Sequence, residues 1–219
     1  MSVLPVRRTY LRADQRKQQI LAIAKDVFAR RGVREANVAD ICEAAKIGRG
    51  TLYQYFENKN DVLRAVMHDI GDRVVDAVAR RAPVATIPGI AGAPVEMVID
   101  FCSRRMRQIL DVIFADEATL RLVLRDARAS SDGAVDEAIA RIDAAMLGAI
   151  EADMRAAQAA GVLRGDVDAK LAARFVLGGV EKVVLAALAG DEKVDLDAIV
   201  KSTVAIQMFG MLKKAEGAR

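Results

Sequence analysis

The sequence predicts an all-α fold in two parts, an N-terminal three-helix head followed by a larger C-terminal helical domain. Apolar residues recur at helical spacing through most of the 219 residues. No segment combines alternating polarity with the turn residues of a hairpin, as strands would require. Prolines and glycines cluster in residues 82–94, which predicts a loop between the two parts.

The composition is typical of a folded protein, because 53% of the residues are hydrophobic and 29% are charged. The net charge of +3 is unevenly spread: residues 1–60 contain 12 Lys/Arg and 6 Asp/Glu, whereas the remainder contains 21 and 24. A basic N-terminal part is suited to binding phosphate groups. Two cysteines, Cys42 and Cys102, form no disulfide framework or metal motif. We therefore expect a cytoplasmic protein with no metal, no cofactor and no membrane segment.

The chain divides into four predicted segments. Residues 1–13 form a basic tail, and residues 14–58 form the head, whose first helix ends at Gly32. Asn58 can cap a connecting helix over residues 59–82, a rod more than ~30 Å long at 1.5 Å per residue. Residues 83–219 then form the C-terminal domain.

Residues 37–59 have the pattern of two short helices joined by a tight turn. Asn37 can cap the first helix, with Asp40 three residues later as in a capping box. Residues 46–48 are long enough only for a turn, and a second helix is predicted over residues 49–55. Its residues Leu52 and Phe56, four apart, face inward. This arrangement predicts a helix-turn-helix, whose second helix enters the DNA major groove.

The residue types left outside the second helix suit contact with DNA. Arginine can bind guanine edges through two hydrogen bonds, threonine can contact a base or a phosphate, and tyrosine hydroxyls can bind phosphate oxygens. Lys59 brings a positive charge to the start of the connecting helix and predicts a phosphate contact. The candidate DNA-binding residues are Asn37, Arg49, Gly50, Thr51, Tyr53, Tyr55 and Lys59.

The N-terminal part resembles the DNA-binding domain of TetR-type transcriptional regulators. The resemblance runs from residue 16 to about residue 67 and rests on RKQQILAIAKDVFARRG (16–32), VADI (38–41), GTLYQYFENK (50–59) and Leu63. It implies a homodimer that binds a palindromic DNA operator and is released by a small-molecule inducer. Lys46 departs from the family pattern, which commonly has glycine in this turn. A residue other than glycine with positive φ there costs roughly 1 kcal/mol.

Five further helices are predicted over residues 95–114, 117–128, 134–160, 166–189 and 195–214. The last two are apolar on more than one side, which indicates burial against both the subunit core and a second subunit. The alternative is a central helix pair in a larger monomer. Glycines inside the first of these two helices predict close approach of another backbone. The candidate interface residues are Phe175, Gly178, Gly179, Lys182, Val183, Ile206, Met208 and Phe209.

Large apolar side chains in the C-terminal domain could line a cavity for an apolar or amphipathic ligand, although each could equally be plain core. A charged anchor is possible in Arg105, with a solvated arginine as the alternative. The candidate ligand-binding residues are Phe101, Arg105, Met106, Phe114 and Met146.

Catalysis has little support, because His68 is the single histidine and no nucleophile or phosphate-loop motif is present. We therefore predict a DNA-binding regulator, more specifically a repressor. The alternatives are a helical ligand-binding protein or enzyme whose head does not bind DNA, and an architectural DNA binder with little sequence preference.

Overall fold

The computed structural model describes residues 13–81, 93–113, 118–119, 122–123, 132–189 and 195–211, and their regular secondary structure is helical apart from a single bridge residue at Leu163. This part of the chain contains α1 (Ala13–Arg31), α2 (Val38–Ala45), α3 (Arg49–Tyr53), α4 (Lys59–Ala79), α5 (Val95–Ile113), α6 (Gly133–Ala159), α7 (Ala169–Ala189) and α8 (Leu196–Met211). The predicted all-α class is confirmed. None of these helices combines the length and the apolar character needed to cross a membrane.

Several predictions lie outside the described residues. These are the N-terminal tail, the loop after α4, most of the helix predicted over residues 117–128, and Phe114. The boundaries of the four predicted segments stay predictions.

Helix ends follow local sequence signals. Gly32 ends α1 with φ of 82°, and its amide donates to the Phe28 carbonyl oxygen at 2.8 Å. Asn58 caps α4 by accepting a hydrogen bond from the Asp61 amide at 3.0 Å. Gly161 follows α6 with φ of 75°. The signals at Gly32 and Asn58 were predicted, because a left-handed glycine or a side-chain oxygen satisfies backbone groups that a helix end leaves unpaired.

Three helices start or end a few residues from their predicted bounds. α4 ends at Ala79 instead of residue 82. α3 ends at Tyr53 instead of residue 55, because the amides of Tyr55 and Phe56 both turn back to the Leu52 carbonyl oxygen. α7 starts at Ala169 instead of residue 166, because the carboxylate of Asp168 accepts from the Leu171 amide at 2.6 Å and caps the helix there.

α4 packs into both parts of the molecule. It contacts α1 in the head and contacts α5 and α6 in the C-terminal domain. Its buried residues are Val62, Leu63, Val66, Met67, Ile70, Gly71 and Val74. The buried side chains of both parts form one continuous cluster. Within the C-terminal domain, α7 packs on α6, and α8 packs on α5 and α7.

Ion pairs join α4 to α6 along their common length. Arg64 donates to both carboxylate oxygens of Asp132, the residue that caps α6. Further along, Asp72 pairs with Arg141 and Arg81 pairs with Asp153. Residue numbers rise together on the two sides, so α4 and α6 run parallel. The hydrogen bonds from Arg64 hold the pKa of the Asp132 carboxyl below its ordinary value.

Lys59 anchors α4 to the connector between α1 and α2. Its Nζ donates to the carbonyl oxygens of Val33 at 2.8 Å and Arg34 at 3.0 Å. These bonds satisfy two backbone acceptors in a segment that has no regular helix of its own.

Replacing this ammonium tests its role in holding the head. We expect Lys59→Met to lower the free energy of unfolding by about 1 kcal/mol, because two charge-assisted hydrogen bonds are lost while the aliphatic stem is kept. Urea unfolding followed by circular dichroism measures the change. Lys170→Met, at an exposed lysine on α7, is the matched control. Equal stability of the two variants would contradict this role for Lys59.

Candidate functional site

The first helix of the helix-turn-helix is fixed at both ends. Asn37 Oδ1 accepts from the Asp40 amide at 3.1 Å, and Asp40 Oδ2 accepts from the Asn37 amide at 2.9 Å. The predicted capping box is therefore present. This cap gives Asn37 a role in building α2, and its contact with DNA stays a prediction.

The turn between α2 and α3 contains a left-handed lysine. Lys46 has φ of 54° and ψ of 44°, and among the described residues it is the one position outside glycine with positive φ. The Lys46 amide donates to the Glu43 carbonyl oxygen, and the Ile47 amide donates to that of Cys42. These two bonds form a Schellman motif. The predicted strain at Lys46 thus coincides with the turn that sets the angle between α2 and α3.

The second helix, α3, presents a short exposed face. Leu52 is fully buried and Phe56 nearly so, as predicted. Arg49, Gly50 and Tyr53 are exposed, and Tyr53 retains 52% of its accessible surface. An arginine at the first position of this helix is well placed to reach base edges.

Two residues expected outside α3 are partly buried. Thr51 is half-buried, and Tyr55 packs against the core with its ring centroid 6.4 Å from that of Phe56. Tyr55 was expected outside the helix but is half-buried, because the chain leaves the helix after Tyr53 and turns inward. Tyr53 is therefore the more accessible of the two tyrosines. The contact of Tyr55 with DNA stays a prediction.

A lysine of α1, Lys17, lies close to Phe56, which follows the end of α3. The Nζ of Lys17, on α1, is 5.8 Å from the centroid of the Phe56 ring. The sequence prediction did not include Lys17. Lys17 lies three residues before Ile20 and four before Leu21, both of which are buried. This spacing places Lys17 on the inward side of α1, and it is the sequence signal from which Lys17 could have been predicted.

Lys59 has a structural role that was not predicted. Two of the three N–H donors on its ammonium are directed at the connector carbonyls of Val33 and Arg34. Lys59 therefore braces the head, and its contact with phosphate stays a prediction.

The C-terminal domain contains a buried group of charges where α4, α5 and α6 meet. Arg105 Nε and Nη2 donate to the two carboxylate oxygens of Asp153 at 2.9 and 2.8 Å. Arg81 Nη2, two residues beyond the end of α4, donates to the same carboxylate at 2.5 Å. We call these three residues the arginine–aspartate cluster. The side chains of Arg81 and Arg105 are 7% and 11% exposed, so the alternative of a solvated Arg105 is wrong.

Burial dominates the electrostatics of this cluster. It lowers the pKa of Arg81, assisted by the like charge of Arg105 and opposed by Asp153. Burial also raises the pKa of the neighbouring Cys102 thiol to about 11. Cys102 is therefore held as a neutral thiol. Neither Arg81 nor Asp153 was predicted from the sequence as a member of a site.

Three other predicted ligand-binding residues lie on α5 and α6, the helices that carry Arg105 and Asp153. Phe101 is half-buried, and its ring centroid lies 5.5 Å from the Arg105 guanidinium carbon. Met106 on α5 and Met146 on α6 are buried in the core. Their role in ligand binding stays a prediction.

An exposed apolar face extends over α7 and α8. Phe175 and Ile206 retain 68% and 76% of their accessible surface, and Val183 is also exposed. Lys182 is exposed beside them. Leu171, at 67% exposure, belongs to the same helix and was missed. The side chains of Met208 and Phe209 lie outside the described residues.

The two glycines of α7 differ in their surroundings. A Cβ at Gly179 would lie 2.9 Å from Gln207 Nε2 of α8, whereas a Cβ at Gly178 would meet no atom within 4 Å. The close approach at Gly179 therefore occurs within one chain. The expectation that Gly179 marks a crossing between subunits is corrected accordingly, and Gly178 is the glycine with open space beside it.

Sequence comparison relates the head to a known family. Residues 20–66 match the bacterial regulatory proteins of the tetR family. The transcriptional regulator TtgR of Pseudomonas putida is 31% identical over 112 residues, which are 48% of this chain and 53% of that regulator. In that match the chain spans about half of the relative's length.

Solved structures resemble the whole architecture. The fatty acid degradation regulator FadR of Bacillus halodurans has a TM-score of 0.71 at 24% identity, covering 91% of this chain and 98% of that one. FadR of Bacillus subtilis, solved in complex with stearoyl-CoA, has a TM-score of 0.67 at 21% identity, covering 88% and 98%. At these identities the likeness establishes the fold alone.

The sequence match thus relates residues 20–66, which hold the helix-turn-helix, to the tetR family, and the solved structures share the all-helical fold of the chain.

Proposed function

We propose that this chain is a cytoplasmic, homodimeric repressor that binds a palindromic DNA operator and is released by a small apolar or amphipathic inducer. The observation that carries this proposal is the exposed face of α3, with Arg49 and Tyr53 outside and Leu52 buried beneath them. A short polar helix held rigidly on a small core is the arrangement by which helix-turn-helix proteins read base edges.

A dimer is needed because one five-residue helix contacts too few base pairs for specific binding. Two copies must lie about 34–36 Å apart, or a multiple of that distance, to meet successive major grooves. The exposed residues Phe175, Val183 and Ile206 supply an apolar surface for pairing on α7 and α8. A two-fold dimer in turn requires a palindromic operator.

Ligand response is supported by the position of α4 between the head and the C-terminal domain. A ligand that binds better to one arrangement of the C-terminal domain shifts the population of head spacings. FadR of Bacillus subtilis, which shares this fold, was solved in complex with stearoyl-CoA, an amphipathic molecule, and this supports the proposal. We assign an inducer of similar character to this chain.

Removing the arginine of α3 tests sequence reading. An operator is first selected from random DNA by the wild-type chain. We expect Arg49→Ala to lose roughly 1–3 kcal/mol of binding free energy and to relax the preference at one base pair per half-site. Mobility shift against the selected operator and point-mutated operators measures both effects. Arg155→Ala, which removes an exposed arginine of α6, is the control. An unchanged preference would remove Arg49 from the reading residues.

Placing a charge on the apolar face tests dimerisation. We expect Phe175→Glu to yield a folded monomer with much weaker operator binding, because it buries an unpaired carboxylate in the interface. Light scattering reports the mass and circular dichroism the fold. Val75→Glu is the matched control, since Val75 is an exposed apolar residue of α4. A Phe175→Glu dimer with wild-type DNA affinity would place the interface elsewhere.

A further inference from the structure

The arginine–aspartate cluster lies at the point where the connecting helix meets the C-terminal domain. Arg81 follows the end of α4, Arg105 lies on α5 and Asp153 lies on α6. Both arginines bind one carboxylate, Arg105 through two hydrogen bonds and Arg81 through one. The cluster is therefore a contact between three helices, made by charged groups in place of apolar ones.

Arg81 is incompletely satisfied within the described part of the chain. Its side chain is 93% buried, given its exposed fraction of 7%. Its Nε is buried and has no hydrogen-bond acceptor there. The like charge of Arg105 opposes it across the shared carboxylate. Buried polar groups in proteins are nearly always paired, so an unpaired guanidinium N–H indicates a position that a further acceptor can fill.

The chemistry of the guanidinium group indicates which acceptor could bind the unpaired N–H of Arg81. Guanidinium groups present a planar fork of donors that matches the oxygens of a carboxylate or a phosphate. Asp153 is the most exposed member of the cluster at 23%, against 7% and 11% for the arginine side chains. An entering anion would therefore meet the guanidiniums on the side where Asp153 now binds.

We infer that Arg81 and Arg105 bind the anionic headgroup, carboxylate or phosphate, of the effector, and that this headgroup competes with Asp153 for their donors. The inference rests on the proposed ligand response and adds the charge of the ligand and the residues that recognise it. Arg81 lies two residues after the end of α4 and donates to Asp153 of α6, so the exchange of partners occurs where the connecting helix is held against α6.

A purely structural ion-pair group is the competing explanation. The two differ in the effect of Asp153→Asn. If Asp153 occupies the place of an anion, its neutralisation removes a competitor and strengthens binding of an anionic ligand. If the cluster only holds the helices together, the same change leaves ligand affinity unaltered.

The experiment uses the full-length chain and three probes with one tail and different headgroups: dodecanoate, dodecyl phosphate and dodecanol. Isothermal titration calorimetry measures the affinity of each. The variants are Arg81→Met, Arg81→Lys, Arg105→Met and Asp153→Asn, and Arg155→Met is the matched control because Arg155 is an exposed arginine of α6. Circular dichroism confirms folding, and Arg81→Lys retains the charge without the fork should Arg81→Met fail to fold.

We expect at least one anionic probe to bind the wild-type chain tenfold or more tightly than dodecanol. Binding of one anion alone identifies the headgroup as carboxylate or phosphate. Arg81→Met or Arg105→Met should weaken that binding by roughly ten- to a hundredfold, since each removes charge-assisted hydrogen bonds. Arg81→Lys should weaken it less, and Asp153→Asn should strengthen it. Arg155→Met should bind as the wild type does.

The inference is overturned if no anionic probe binds in preference to dodecanol. It is also overturned if the folded arginine variants bind like the wild type, or if Asp153→Asn leaves affinity unchanged. Operator mobility shift is run separately on the same proteins. If the wild-type chain prefers an anionic probe but binds no operator, the proposed function alone is refuted. If the wild-type chain binds its operator but does not prefer an anionic probe, this inference alone is refuted.

Discussion

The structure depends on the packing of one helix, α4, into two groups of helices at once. Its apolar face contributes to the head through contact with α1 and to the C-terminal domain through contact with α5 and α6. Met67, fully buried near the middle of the helix, belongs to the same continuous core as Phe28 in the head and Ile142 on α6. Because protein cores are closely packed and transmit displacement, movement of α4 on one side must be accommodated on the other.

Close packing and charge together fix the position of α4 on α6. At Gly71 a Cβ would lie 3.6 Å from Ile142 Cγ1, an ordinary van der Waals distance, so α4 and α6 are closely packed at this position. Ion pairs at Arg64, Asp72 and Arg81 are spread along the same contact. Such pairs are sensitive to the relative position of their two helices, because charge-assisted hydrogen bonds depend on distance and angle. These contacts define one position of α4 on α6, and a ligand that breaks them would displace α4.

Local signals in the sequence predicted the helix-turn-helix and several helix ends, whereas α3, α4 and α7 each differ from the prediction at one end. The cap at Asn37, the left-handed Gly32 and the inward pair Leu52 and Phe56 each depend on residues a few positions apart. The sites in the C-terminal domain depend on contacts between distant residues, which periodicity does not encode. Arg81 and Asp153 are 72 positions apart, and the two carbonyls that Lys59 binds are 25 and 26 positions away. The close approach of Gly179 to Gln207 of α8 likewise depends on how the two helices pack, which the sequence pattern does not give.

Calorimetric unfolding tests most directly whether α4 joins the head and the C-terminal domain into one cooperative unit. We predict a single transition for the wild-type chain. Phe28→Leu in the head and Ile142→Val on α6 should each lower its midpoint by a few degrees, as expected for a loss of about 1 kcal/mol from a core position. Two resolved transitions, of which Phe28→Leu shifts one and Ile142→Val shifts the other, would contradict the account.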